Sequence, residues 1–128
     1  MFKGVHHICY HVESLDETIK QYQTLYQGKV EVRWRNEPGQ CEVAFVRFGN
    51  ARVELVEPDD KSTLDGSKAQ VLHHVGYLVD DIEKAREELK AKGADFFKEM
   101  YINPLGCKIA YFNAGDCLGR KQHLTQSS

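Results

Sequence analysis

Apolar and polar positions alternate along Val5-His6-His7-Ile8-Cys9-Tyr10-His11-Val12, and the pattern returns along Leu72-His73-His74-Val75-Gly76-Tyr77-Leu78-Val79. A period of two marks each run as a strand. Their shared spacing, with a His pair followed by Tyr and Val, marks an internal repeat. Each strand leads into a helical pattern. The first opens on Ser14-Leu15-Asp16-Glu17, a capping box with Ser14 as N-cap, and repeats Leu15, Ile19, Tyr22 and Tyr26 on one stripe until Gly28. The second starts near Asp80-Asp81, carries Ile82, Ala85 and Leu89, and stops at Lys92-Gly93. Three strand-like runs follow each helix: 29–35, 41–48 and 51–57, then 95–100, 107–113 and 121–126.

The chain therefore reads as α+β, two βαβββ modules within one domain, 1–128. Module one covers about 4–58 and module two about 71–126, with 58–71 as a turn-rich linker. Neither half is long enough to bury a core alone. The matched apolar faces predict one open, barrel-like sheet with its helices outside.

Composition narrows the function. A formal charge of −2 with scattered basic residues excludes an electrostatic nucleic-acid or membrane-surface partner. The longest basic run is Arg120-Lys121. No apolar stretch approaches the length of a membrane span, and Met1–Val5 holds no export-type apolar segment. The four cysteines form no C-x-x-C pair. They read as reduced thiols of a cytoplasmic protein.

The six histidines are His6, His7, His11, His73, His74 and His123, all in predicted strands. Alternation gives Ile8, Tyr10 and Val12 to the helix side and His7, Cys9 and His11 to the far side. His74 likewise points away from Val75, Tyr77 and Val79, while His6 and His73 fall on the apolar face and cap its edge. The closing strands of the two modules carry Glu54 and His123 at matched positions. Glu54 lies between Val53 and Leu55, a costly place for a carboxylate without a cation. Two His, a Glu and a further His on four strands suit Zn²⁺, Ni²⁺, Co²⁺, Fe²⁺ or Mn²⁺.

Over nearly its whole length the chain resembles the vicinal-oxygen-chelate (glyoxalase/bleomycin-resistance) superfamily, and within it the methylmalonyl-CoA epimerase-like proteins. The stretches that carry the resemblance are Val5-His6-His7-Ile8, Val43-Ala44-Phe45-Val46, Val53-Glu54-Leu55-Val56-Glu57-Pro58, Leu72-His73-His74-Val75, Val79-Asp80-Asp81-Ile82-Glu83, Glu88-Leu89-Lys90-Ala91-Lys92-Gly93 and Lys108-Ile109-Ala110-Tyr111-Phe112. The resemblance implies one divalent metal held by His7, Glu54 and His74, with the fourth ligand at His123. The family usually has a Glu at that last position. It also implies a carboxylate base at the start of the strand before the second ligand, which falls on Glu42.

The implied chemistry is proton abstraction beside a carbonyl, with the metal polarising oxygen and Glu42 moving the proton. His123 would serve as a second proton carrier only while off the metal. The resemblance points to an acyl thioester or α-hydroxycarbonyl substrate and to a homodimer. Arg52, Lys108 and Lys121 are candidates for holding an anionic group of the substrate. The alternatives are a glyoxalase I-like lyase and a non-enzymatic small-molecule-binding member of the superfamily. A dioxygenase is disfavoured by four protein ligands.

Overall fold

The structure is a computed structural model that describes residues 1–127. Its elements are β1 (Phe2–His11), α1 (Leu15–Tyr26), β2 (Lys29–Asn36), β3 (Cys41–Phe48), β4 (Ala51–Pro58), a short 3-10 helix (Lys61–Leu64), β5 (Val71–Val79), α2 (Ile82–Ala91), β6 (Asp95–Ile102), β7 (Lys108–Asn113) and β8 (Gln122–Gln126). The fold is α+β, and each half runs βαβββ, as the two periods in the sequence imply. Strand ends differ from those expectations by up to three residues. The stretch expected as a plain linker contains the 3-10 helix, whose Leu64 is buried.

Two compact units make up the chain. One comprises His7–His73; the other comprises Met1–His6 with His74–Ser128. In the first the strand order is β2-β3-β4-β1, with β1 parallel to β4 and the other neighbours antiparallel. In the second it is β6-β7-β8-β5, with β5 parallel to β8. The repeat in the sequence is thus a repeat of topology.

Local chemistry explains the helices. Ser14 Oγ accepts from the Glu17 N–H at 3.2 Å, so the capping box forms. Leu15, Ile19 and Tyr22 then pack on Ala44, Val46, Val53 and Leu55. The helix ends at Gln27, in the left-handed region with φ 59°, and Gly28 N–H donates back to the Tyr22 carbonyl at 2.9 Å. A Cβ at Gly28 would meet Val46 Cγ1 at 2.8 Å, so the chain passes β3 too closely for any larger residue. In the second unit Asp81 caps α2 through the Lys84 N–H. There Ile82 and Ala85 pack on Val79, Ala110, Phe112 and Leu124.

Candidate functional site

Burial of one sheet face under each helix leaves the opposite face to carry the polar chemistry. In the His7–His73 unit that face holds His7, Cys9, Glu54, Phe45, Val43 and Trp34. His7 is 1% exposed, packs edge-on against the Phe45 ring at 5.3 Å, and lies with Nε2 3.5 Å from Glu54 Oε1. The register places Cys9 beside Glu54 on neighbouring parallel strands. Burial, and secondarily the Glu54 carboxylate, push the Cys9 thiol well above the ordinary range. His11 stacks on His73 at 4.1 Å and its Nδ1 is 3.1 Å from Thr63 Oγ1. His73 therefore stacks on a histidine instead of capping an apolar edge.

In the other unit the matching face carries His74 and His123, both buried, with rings stacked at 3.7 Å. Tyr111, opposite His123 in the β7–β8 register, packs edge-on against it at 3.9 Å. Next across the sheet stand Phe97 and Tyr101, at 6.0 Å and 5.8 Å from the Tyr111 ring, and the two tyrosine hydroxyls are 2.8 Å apart. Lys98 Nζ lies over the Tyr111 ring at 4.6 Å and the Arg120 guanidinium over Phe97 at 4.5 Å. His6, expected at an apolar edge, is buried with Nε2 3.7 Å from Cys107 Sγ.

His7 in the first unit, and His74 and His123 in the second, are thus buried imidazoles, a donor type that binds metal ions. The donor chemistry fits a divalent transition metal. Burying several imidazoles and a carboxylate in this way is costly unless a cation or hydrogen bonds compensate them.

Two of the candidate residues lie on the opposite sheet face from the histidines. Glu42 shares its face of β3 with Ala44 and Val46, which pack under α1, whereas His7 packs on Phe45. Its neighbour across the strand pair is Glu57, whose Oε1 accepts from the Leu15 N–H at the start of α1. Glu42 is therefore on the helix side, not with the histidines, and Val43 occupies the histidine side. Lys108 likewise shares parity with Ala110 and Phe112, which pack under α2, so it too points to the helix side. Arg52 is on the Glu54 face as expected, but its guanidinium already grips Glu31 with Nε–Oε1 at 2.6 Å and Nη2–Oε2 at 3.0 Å. Lys121 is exposed and precedes β8.

Sequence reasoning missed Lys98, Arg120 and the aromatic residues Phe97, Tyr101 and Tyr111. The basic pair Arg120-Lys121 was the available signal for one of them. The second unit also contains an apolar cavity of about 650 Å³, lined by Phe2, Tyr77, Leu89, Phe112, Leu118 and Gln122 among others. It lies on the α2 side and holds none of the candidate ligands.

The model of the glyoxalase/bleomycin resistance protein/dioxygenase superfamily matches residues 6–111. The chain belongs to this superfamily. Among curated relatives, the mitochondrial methylmalonyl-CoA epimerase of Mus musculus is 31% identical, over 96% of this chain and 72% of that protein. The Homo sapiens enzyme is 26% identical over 96% and 73%. The ethylmalonyl-CoA/methylmalonyl-CoA epimerase of Cereibacter sphaeroides is 27% identical over 73% and 74%. Among solved structures, Streptomyces coelicolor methylmalonyl-CoA epimerase in complex with 2-nitronate-propionyl-CoA superposes with a TM-score of 0.84. That match has 21% identity and covers 100% of this chain and 99% of that one. The Mycobacterium tuberculosis epimerase gives 0.85 at 18% identity, over 99% and 89%. These superpositions place the chain in the superfamily's fold, two βαβββ modules. Among the described residues no helix is long and apolar enough to cross a membrane.

Proposed function

We propose that this protein is an epimerase-like enzyme that removes and returns a proton beside the carbonyl of an acyl thioester, at a single divalent metal ion. His7, Glu54, His74 and His123 would supply its donors. The observation that carries the reading is the His7–Glu54 pair at 3.5 Å. Two donors bound at about 2.1 Å to one tetrahedral ion lie about 3.4 Å apart. The metal's identity stays open among Zn²⁺, Ni²⁺, Co²⁺, Fe²⁺ and Mn²⁺, all of which accept imidazole and carboxylate ligands.

When bound, the ion acts as a Lewis acid toward the carbonyl oxygen. The chain's own residues do the rest. Imidazoles bring no charge, so Glu54 alone offsets the ion and leaves it net positive, which favours an anionic substrate. With Glu42 on the helix side, Glu54 is the carboxylate beside His7, and to it we assign the proton at carbon. His123 stays in the donor set. Phe45 and Trp34, stacked at 5.8 Å, wall the His7 face and exclude water there.

The same reading takes the protein as a cytoplasmic homodimer. Four free cysteines suit a reducing compartment, and the exposed apolar residues Phe2, Val5 and Leu118 suit burial by a second copy. The test is to incubate the protein with methylmalonyl-CoA in D₂O and follow the C2 proton by NMR. Catalysed loss of that signal supports the reading. Exchange no faster than in buffer removes acyl-CoA epimerisation from it.

A further inference from the structure

A continuous row of rings crosses one face of the second unit. From β5 to β6 it runs His74, His123, Tyr111, Phe97, with the Arg120 guanidinium over the last ring. Four strands set the length of the row. Strand spacings of about 4.8 Å carry it roughly 14 Å from His74, and about 10 Å from His123, to the free edge of the sheet. The inner end is buried and imidazole-rich. At the outer end Tyr101 is 44% exposed and two cations stand over adjoining rings.

Those cations have no structural use in sight. Among the described residues neither Lys98 nor Arg120 meets a carboxylate, and their contacts are the aromatic rings beneath them. Seating on a ring narrows the rotamers of a long basic side chain while its charged head stays in water. That is preorganisation for an anion, because part of the ordering entropy is lost before the ligand arrives. The backbone contributes too. The β6–β7 register slips between Phe97 and Tyr101, and Lys98 takes the left-handed conformation with φ 63°. This irregularity brings Phe97 and Tyr101 both onto the Tyr111 ring and sends Lys98 over it. An edge strand pays for such a kink with weaker pairing.

We propose that Lys98 and Arg120, with the Tyr101 ring, form the subsite for the phosphate-bearing nucleotide end of the substrate's thioester carrier. This deepens the function proposed above and rests on it for the thioester end. A small free acid held at the histidines would never reach this edge, whereas an acyl thioester of coenzyme A carries its phosphates and adenine far from the reacting carbon. Arg120 offers a planar fork to phosphate oxygens and Lys98 a point charge. Tyr101, fixed by its hydroxyl contact to Tyr111, offers a ring face to adenine.

The experiment uses the full chain and the probe adenosine 3′,5′-bisphosphate. Wild type should bind it by titration calorimetry, and Lys98→Ala/Arg120→Ala should bind about ten-fold or more weakly, as expected for two charge-assisted contacts. The charge-preserving Lys98→Arg/Arg120→Lys protein should bind it more tightly than the double alanine variant, and binding no tighter than that variant would overturn the subsite. A companion assay compares deuterium exchange into methylmalonyl-CoA and into the N-acetylcysteamine thioester of methylmalonate, which lacks phosphates. The ratio of kcat/KM for the two should fall about ten-fold in the double alanine variant. Equal bisphosphate binding by wild type and that variant, or an unchanged ratio, overturns the subsite. If neither thioester exchanges with wild type yet bisphosphate binding depends on both cations, the subsite stands and the proposed reaction falls.

Discussion

Glu54 and His7 stand on neighbouring parallel strands, with Oε1 3.5 Å from Nε2, on the sheet face turned away from α1. The proposed function gives Glu54 two roles, donor to the ion and carrier of the substrate proton, and substitution separates them. Glu54→Gln keeps an oxygen donor and removes the base. We expect it to retain metal by elemental analysis while exchange falls on the order of 10²- to 10⁴-fold. Exchange at the wild-type rate would take the proton-transfer role away from Glu54.

Glu42 gives the complementary prediction. Its Oε2 is buried without a hydrogen-bond partner, and it faces Glu57 directly across β3 and β4. Glu42→Gln removes the like-charge pair with Glu57 and also the opposite charge facing Arg35 across β2 and β3, so stability should change by less than about 1 kcal/mol. Exchange should stay within about two-fold of wild type. Denaturant melts and the exchange assay check both halves, and a collapse of exchange would return Glu42 to the mechanism.

These two glutamates show what the sequence could and could not reveal. Both βαβββ patterns were legible, because capping at Ser14 and the stripes Leu15-Ile19-Tyr22 and Ile82-Ala85-Leu89 are local. Alternation also put His7 and His74 on the correct faces. Alternation groups Glu42 with Ala44 and Val46, but an apolar face can line a cavity or pack under a helix, and only the tertiary packing puts this one under α1. The same holds for Lys108. Arg120 and Lys98 were invisible for a different reason. Their positions depend on a register shift in β6 and on ring contacts between separate segments, which no short-range period encodes.

Thiol chemistry should divide the four cysteines. Cys117 is exposed, while Cys9, Cys41 and Cys107 are buried. Burial raises the Cys9 and Cys41 thiols, so both remain protonated and unreactive through mildly alkaline pH. An aromatic disulfide reagent at pH 8 should therefore label one thiol quickly and the other three only on unfolding. The Cys117→Ser variant should show no fast phase.

Acid should weaken one surface contact only after ordinary carboxylates have begun to protonate. Arg35 holds Asp59 through two bonds, Nη1–Oδ1 at 2.8 Å and Nη2–Oδ2 at 2.6 Å, and the Asp59 carboxyl is depressed chiefly by that hydrogen bonding. A depressed carboxyl contributes stability above the ordinary carboxylate range and loses it as pH falls through its own lowered value. The contact is solvent-exposed, so the effect is small. Thermal midpoints taken from pH 6 to pH 3 should fall slightly less steeply for Asp59→Asn than for wild type. Identical slopes would mean the pair contributes nothing to the acid limb.

The central claim is that a divalent ion on the histidine-bearing faces is needed for proton exchange at an acyl thioester, and stripping and restoring that ion tests it most directly. Protein treated with a chelator and dialysed would be assayed for deuterium entry at C2 of methylmalonyl-CoA, then given Zn²⁺, Ni²⁺, Co²⁺, Fe²⁺ and Mn²⁺ in turn. We predict that exchange disappears on stripping and returns with about one equivalent of at least one of these ions, but not in His7→Ala or His74→Ala. Stripped, metal-free protein that exchanges the C2 proton as fast as untreated protein would contradict the account.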